Sequence, residues 1–433
     1  MSDNLTFGPS DDLKCTSASQ LIEAYNDGHR DFWFSTLNNA NLSNAVLQQA
    51  NLSGSSLSGA QFVGTNLFQT NLKVCTLDKA VFSKANLTGA KLDGASTKET
   101  DFSYANLTGV QLDTSQTAVV ANFTGAILCN APLAKCNLNG RNLTSANLTN
   151  ANLQQAGLAG ANLCTAILDG TNLSHADLTG VQNLNTAAMH ATNFTSANLA
   201  GAKLDRAAMA GLTFTGAYLS GAALDSADLT GSLLQNAVLE SASLYGCTLT
   251  GADFSNAAMK NSQLDSAKLA NAVFTGAAMI GASLMYCTMQ GARFDAADLS
   301  GAYFKGADLA GASFVGAKLT GVRDLTEVKN LAGAEWSGAD FTDTILHSVV
   351  LSGKNLASAN FTKAGMSSAD LSHADLSNAN LTQADLTSAN LSYANLSGAN
   401  LTGAILHNTD LTGADTSGAI FDPGMPPASG GAA

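Results

Sequence analysis

Charge, aromatic rings and proline are all scarce in this chain: 12% of its residues are Asp, Glu, Lys or Arg, 6% are aromatic, and five are proline. No apolar run is long enough to span a bilayer, because Asn, Ser and Asp interrupt it every few residues. No early basic stretch leads into an apolar one, so no secretory signal is expected. The net charge of −13 comes without a basic stripe, which argues against direct binding of nucleic acid. Signatures of catalysis are missing too: HExxH, a Walker loop, GxSxG and CxxC do not occur. Seven cysteines is an odd number, and it suits unpaired thiols in a reducing cytoplasm better than a disulfide framework.

What the chain has instead is a count in fives. From Phe32 to Phe421 nearly every fifth residue is Leu, Phe or Met, usually with Ala two places before it, Asn or Asp just before it and Ser or Thr just after. Ala374-Asp375-Leu376-Ser377-Asn378 and Ala379-Asn380-Leu381-Thr382-Gln383 repeat the pattern back to back. A period of five fits neither a helix nor an alternating strand. Each unit must therefore turn a corner if all its apolar centres are to point one way.

A second period gives the number of corners. Phe62, Phe82 and Phe102 are spaced by twenty, as are Phe194 and Phe214, and then Phe254, Phe274, Phe294 and Phe314. Rings that recur once per four units stack on one face of successive coils, so four units make one turn. About 78 units then give 19 to 20 coils, with a length on the order of 90–95 Å at strand spacing.

The A-(N/D)-L-(S/T)-x series resembles the pentapeptide-repeat family over about nine-tenths of the chain. That resemblance implies an all-β fold, a right-handed quadrilateral β-helix. The expected organisation is an N-terminal tail and capping helix over 1–31, the β-helix over 32–421, and a disordered tail over 422–433. The cap reads as a helix over Ser17–Asp27, started by Ser17 or Ser19, with Leu21, Ile22 and Tyr25 on its apolar side and Gly28 as its stop. An uncovered last coil would pair with a second copy, giving a homodimer through the C-terminal end.

Irregularities are few. The register slips by one residue between Thr117 and Phe123, at Val181–Leu184, at Val322–Leu325 and at Val328–Leu331, and each extra residue is expected to bulge outward. Phe314 and Trp336 should still share a face across two slips. Thr97 and Thr117 are weak centres on adjacent coils, where a thin core is expected. Cys75, Cys136, Cys247 and Cys287 replace the inward Ala, whereas Cys129 and Cys164 follow centres and face outward. Arg141 and Lys354 also stand at inward positions and are expected to snorkel out.

No cofactor, metal or catalytic residue is assigned. His175, His190, His347, His373 and His407 face outward, and the closest same-face pair, His347 and His407, is three coils apart, roughly 14 Å. Asp205, Asp225 and Asp265 share a face but read as a solvated surface. Tyr245, Met285, Tyr286 and Tyr303 fall on outward positions of one face within about three coils and form a candidate contact patch. Arg323, Asp324 and Lys329, beside the slips, complete the candidate protein-binding residues.

The leading functional expectation is a non-catalytic interaction or scaffold protein of the cytoplasm with an unidentified protein partner and no membrane. An alternative follows from the resemblance, since some pentapeptide-repeat proteins mimic duplex DNA, bind gyrase and confer quinolone protection. A duplex this long would carry roughly fifty-five charges, far more than this chain. Only the stretch from Arg323 onward is clearly acidic, with eleven Asp/Glu against four Lys/Arg. A host-directed effector is a third expectation.

Overall fold

The computed structural model describes residues 13–112 and 121–423. The tail 1–12, the weak centre Thr117 and residues 424–433 of the C-terminal tail lie outside the described residues. The chain divides into two compact units, Met1–Asn198 and Leu199–Ala433.

In the first unit, parallel bridges join Asp31 to Asn51, Thr36 to Ser56, Asn41 to Gln61 and Val46 to Asn66, each a step of twenty. The second unit repeats the step, with Lys203 to Ala223, Ala208 to Asp228, Thr213 to Leu233 and Tyr218 to Val238. One residue per side makes each bridge, so the ladder consists of isolated bridges rather than extended strands. The reason is local, because two of every five residues are taken up by the corner.

The unit Leu37-Asn38-Asn39-Ala40 shows the corner. Ala40 N–H donates to the Leu37 carbonyl at 3.1 Å, and Asn39 has φ +58°. Positive φ at the third residue is the mark of a type II turn, which favours Gly or Asn there. Between coils, Leu42 N–H donates to Gln61 O at 2.7 Å, Asn44 N–H to Val63 O at 2.9 Å and Gln61 N–H to Ala40 O at 2.8 Å. Backbone groups therefore find partners in the coils above and below, as burial requires.

Side chains fill the interior in columns. Phe62, Phe82, Phe102 and Phe123 stack with centroids 4.6, 5.2 and 5.4 Å apart. In the second unit Phe254, Phe274, Phe294 and Phe314 stack at 5.0, 4.9 and 5.0 Å, and Trp336 continues the column 4.5 Å from Phe314. The small inward position tolerates one polar atom, because the carbonyl of a centre one coil back can accept from it. Thr65 and Thr70 donate to Leu42 O and Leu47 O at 2.7 and 2.8 Å. The thiols of Cys75, Cys247 and Cys287 do the same to Leu52, Leu224 and Leu264 at 2.9–3.0 Å. Among the described residues no disulfide joins the cysteines.

A single α-helix, α1 (Ala18–Asn26), is found among the described residues. Ser17 caps it by accepting from Gln20 N–H, and Gly28 ends it with φ +100°. Leu21, Ala24 and Tyr25 are buried, so Ala24 takes the place expected of Ile22, which is half-exposed. Ala24 lies three residues beyond Leu21 and next to Tyr25, which puts these three on one side of the helix and Ile22 at its edge. Tyr25 Oη donates to Gln48 O at 2.9 Å, and Thr36 N–H to Cys15 O at 3.0 Å, so the segment lies against the first coil.

The slips lengthen the bridge step without breaking the ladder. It is twenty-one at Asp101–Asn122, Ile167–Ala188 and Asp308–Lys329, and twenty-two at Ser313–Glu335. Three slips build the same device, a left-handed residue followed by a short 3-10 turn. Asn183, Asp324 and Asn330 have φ +59°, +62° and +54°, and precede turns at Leu184–Thr186, Leu325–Glu327 and Leu331–Gly333. Asn and Asp enter this region more readily than other residues with a Cβ. All three are exposed, so the extra residue does stand outward.

One expectation fails. Arg141 does not snorkel: it is 5% exposed and lines a small cavity of about 30 Å³ with Thr97, Phe102, Leu112 and Leu138 among its neighbours. The physical reason is space, since Thr97 stands where a large centre would otherwise fill the coil. Lys354, at the equivalent position, is half-exposed.

Candidate protein-binding face

Two lines of outward side chains run side by side on one face of the second unit. Along the first, bridges join Ser243, Gln263, Ser283, Tyr303 and Arg323 in succession. Along the second stand Tyr245, Asp265, Met285, Lys305 and Glu327, with carbonyls that accept from Ser226, Gly246, Ser266, Tyr286 and Gly306. Tyr286 occupies the adjoining corner at φ +60°.

Chemistry is unevenly distributed along these lines. The Arg323 guanidinium lies over the Tyr303 ring at 5.0 Å from its centroid, a cation–π contact. Lys305 pairs with Glu327 at 3.3 Å, and the Glu327 carboxylate, by its hydrogen bond and its charge, holds the Lys305 ammonium above its usual pKa. Tyr245 and Tyr286 are 53% and 57% exposed, whereas Met285 and Tyr303 are half-buried. Asp265 separates Tyr245 from Met285 and accepts both the Ser283 hydroxyl and Met285 N–H. The structure thus brings Met285, Tyr286, Tyr303 and Arg323 together, with Tyr245 two coils away. Asp324 stands at the corner that follows Arg323, and Lys329 lies on the next side, bridged to Asp308.

Sequence reasoning missed two features. The first is the seat under Tyr286: a Cβ on Gly306 would meet the tyrosine ring at 2.5 Å. Phe34 over Gly54, Tyr104 over Gly125 and Tyr393 over Gly413 repeat the arrangement. An aromatic corner residue thus covers a glycine one coil on, and the spacing of twenty or twenty-one was the available signal. Packing accounts for one face of Tyr286 and leaves the other to solvent. The second feature is a groove of about 340 Å³ beside the inserts, lined by Leu325, Val328, Leu331, Val349 and Val350 among others. Consecutive slips displace the chain enough to open it.

Other candidate chemistry stays dispersed. His190 pairs with Asp169 at 3.0 Å, His347 bonds Ser367 at 2.7 Å, and His373 stacks on Tyr393 at 5.1 Å. Among the described residues no three His, Cys, Asp or Glu side chains are placed to hold a metal ion. No helix among them is long and apolar enough to cross a membrane.

Single-residue parallel bridges at steps of twenty, inward small residues and left-handed corners define a β-helical repeat protein. The pattern described as "Pentapeptide repeats (8 copies)" matches it in twelve overlapping or adjacent stretches, from 35–73 to 379–418. The chain belongs to the pentapeptide-repeat family, whose proteins fold as right-handed quadrilateral β-helices. Apart from the single residue 74, the gaps between matches, 116–120, 182–191 and 324–329, fall at the slips.

Among solved structures, HetL from the cyanobacterium Nostoc sp. Strain PCC 7120, a pentapeptide repeat protein involved in heterocyst differentiation regulation, is 28% identical. That match covers 63% of this chain and 88% of HetL, with a TM-score of 0.21. Full-length QnrB1, a plasmid-mediated fluoroquinolone resistance protein, is 22% identical over 53% of this chain and 94% of its own, with a TM-score of 0.16. Rfr23 from the cyanobacterium Cyanothece 51142 is 23% identical over 35% and 90%, with a TM-score of 0.17. No curated protein sequence matches the chain.

Proposed function

We propose that this is a non-catalytic cytoplasmic scaffold that holds a protein partner against the face carrying Tyr245, Met285, Tyr286, Tyr303 and Arg323. The observation that carries the reading is that exposed and half-exposed rings, a methionine and a guanidinium gather on one face within a few coils. Aromatic residues, Met and Arg are the types enriched where proteins meet. Affinity capture from native lysate tests it, comparing wild type with a Met285→Ser, Tyr286→Ser, Tyr303→Ser variant. The expected result is a partner retained by wild type and depleted at least tenfold by the variant, since losing about 1.4 kcal/mol already costs that much. Equal recovery from both would sink the assignment of this face.

Gyrase binding by mimicry of DNA is the second reading, favoured by the acidic stretch after Arg323 and by nothing else in the geometry. There Asp370 and Asp375 accept from Asn390 and Asn395 at 3.2 and 3.0 Å, and the next carboxylates in those lines are Asp410 and Asp415. Hydrogen bonds from Thr387, Thr412 and Ser417 hold Asp385, Asp410 and Asp415 below the usual carboxylate range, so they are charged at neutral pH. Carboxylates that recur every second coil are sparse beside a duplex, which carries one charge per about 1.7 Å. Recovery of gyrase in the capture would favour this reading over the first.

A homodimer through the C-terminal coil is a separate proposal. Leu406, Leu411 and Phe421 are half-exposed, in contrast to the fully buried centres one coil earlier. Sedimentation equilibrium at micromolar concentration is expected to give twice the chain mass; a monomer would overturn it.

A further inference from the structure

We propose that the two consecutive slips at Val322–Leu331 build a hinge into the second unit, on which the coils from Phe341 onward swing as one body. Each slip keeps its bridges to the preceding coil: Arg323, Lys329 and Glu335 pair back with Tyr303, Asp308 and Ser313. Ile345, Val350 and Asn355, on the same sides of the following coil, bridge only forward, to Gly365, Asp370 and Asp375. Between 322–337 and 343–356 no backbone hydrogen bond forms. A seam therefore runs between these two coils. The remaining side stays closed, since Lys318 bridges to Asp340 and Asp340 to Asn360. There Gly321 N–H donates to Thr342 O at 3.0 Å, Phe341 N–H to Asn360 O at 2.7 Å and Asn360 N–H to Ala339 O at 2.9 Å. At its edge Gly338 N–H donates to Ala357 O at 2.9 Å.

The inserts explain the seam. Glu327 and Gly333 N–H groups donate within their own 3-10 turns, to Asp324 O and Asn330 O at 3.1 and 2.7 Å. Two such turns on consecutive sides draw the backbone away from the next coil. What faces that coil is then apolar: Leu325, Val328 and Leu331 line one wall of the groove, Val349 and Val350 the other. The Trp336 indole N–H is engaged inside its own coil, on Leu331 O at 3.3 Å. Apolar contact is non-directional, so it holds two coils together without fixing the angle between them. One coil further on the ladder does fix it, with Leu346 N–H donating to Gly365 O, Leu351 to Asp370 O and Leu356 to Asp375 O at 2.7–2.8 Å. A joint that is hydrogen-bonded along one side only opens about that side at the lowest cost. The candidate face lies before the hinge and the lines through Asp370 and Asp375 after it, so the hinge angle sets the distance between them.

Two measurements on the full chain test the hinge. For the first, spin labels are attached through Thr288→Cys and Asp370→Cys, four coils apart with the seam between them. The control pair, Ala208→Cys and Thr288→Cys, is four coils apart along an unbroken ladder. Either span is roughly 19 Å at about 4.8 Å per coil. Cys129→Ser and Cys164→Ser remove the two half-exposed thiols, and the other five are buried. Double electron–electron resonance should give a distance distribution at least twice as wide across the seam as in the control. Urea below the unfolding transition should lengthen the first distance and leave the second unchanged. The second measurement is hydrogen exchange at residue resolution on the unsubstituted chain. The amides of Ile345, Val350 and Asn355 should exchange at least tenfold faster than those of Gly365, Asp370 and Asp375. Equal protection of the two sets would show a closed joint and overturn the proposal. Fast exchange with equal widths would show a fixed, water-filled gap and overturn it as well.

Discussion

Raising the pH from 8 to 11 should destabilise the folded protein by several kcal/mol, and replacing Cys75, Cys247 and Cys287 with alanine should remove much of that loss. All three thiols are at most 1% exposed. Burial pushes Cys75 up to about 11 and Cys247 and Cys287 up to about 12, with backbone N–H groups opposing it in each case. The charges of Asp225 and Asp205 add to the rise at Cys247, and that of Asp265 at Cys287. A raised folded-state pKa means that the native protein keeps a proton the unfolded chain gives up. The contribution is therefore complete below about pH 9, where both states are protonated, and is lost as pH rises from there toward 12. At pH 11 the loss is about 2 kcal/mol per thiol, at 1.36 kcal/mol per unit of difference. Alanine fits each site without strain, because it is the family's usual residue there. Urea midpoints at the two pH values decide the matter: equal losses in wild type and the triple variant would place the alkaline weakness in tyrosine and lysine titration instead.

These thiols also show what the sequence made legible. Their inward placement followed from the count by fives, because each position in a unit is tied to one side of the chain. The column from Phe254 to Trp336 followed from the count by twenty, including its passage across two slips. The form of the slips was less accessible: Asn183, Asp324 and Asn330 are residues suited to a left-handed turn, yet only the backbone shows the 3-10 turn that follows each. Arg141 was misread, since whether a cation points in or out depends on the space left by coils more than forty residues earlier, at Thr97. For the candidate face, counting placed Tyr303 and Arg323 on one line, but their cation–π contact and the glycine seat of Tyr286 depend on side-chain direction.

Phe294→Ala should be among the most damaging single substitutions in the second unit, at about 3–5 kcal/mol. Phe294 is fully buried and stacks on Phe274 at 4.9 Å and on Phe314 at 5.0 Å, so its removal breaks two ring contacts at once. The cavity cannot collapse easily, because bridges such as Val273–Arg293 and Arg293–Ser313 fix the coil spacing on both sides. Coils in a solenoid contact only their neighbours, so the loss is not spread over the whole chain. Local opening should become cheaper there first, before global unfolding. Hydrogen exchange by mass spectrometry can read this directly. Protection should fall for amides of the coils around Phe274, Phe294 and Phe314, while those around Phe62 and Phe82 in the first unit stay unchanged. A uniform loss across both units would show that they unfold as one cooperative block, and that energy deposited at one coil is shared by all.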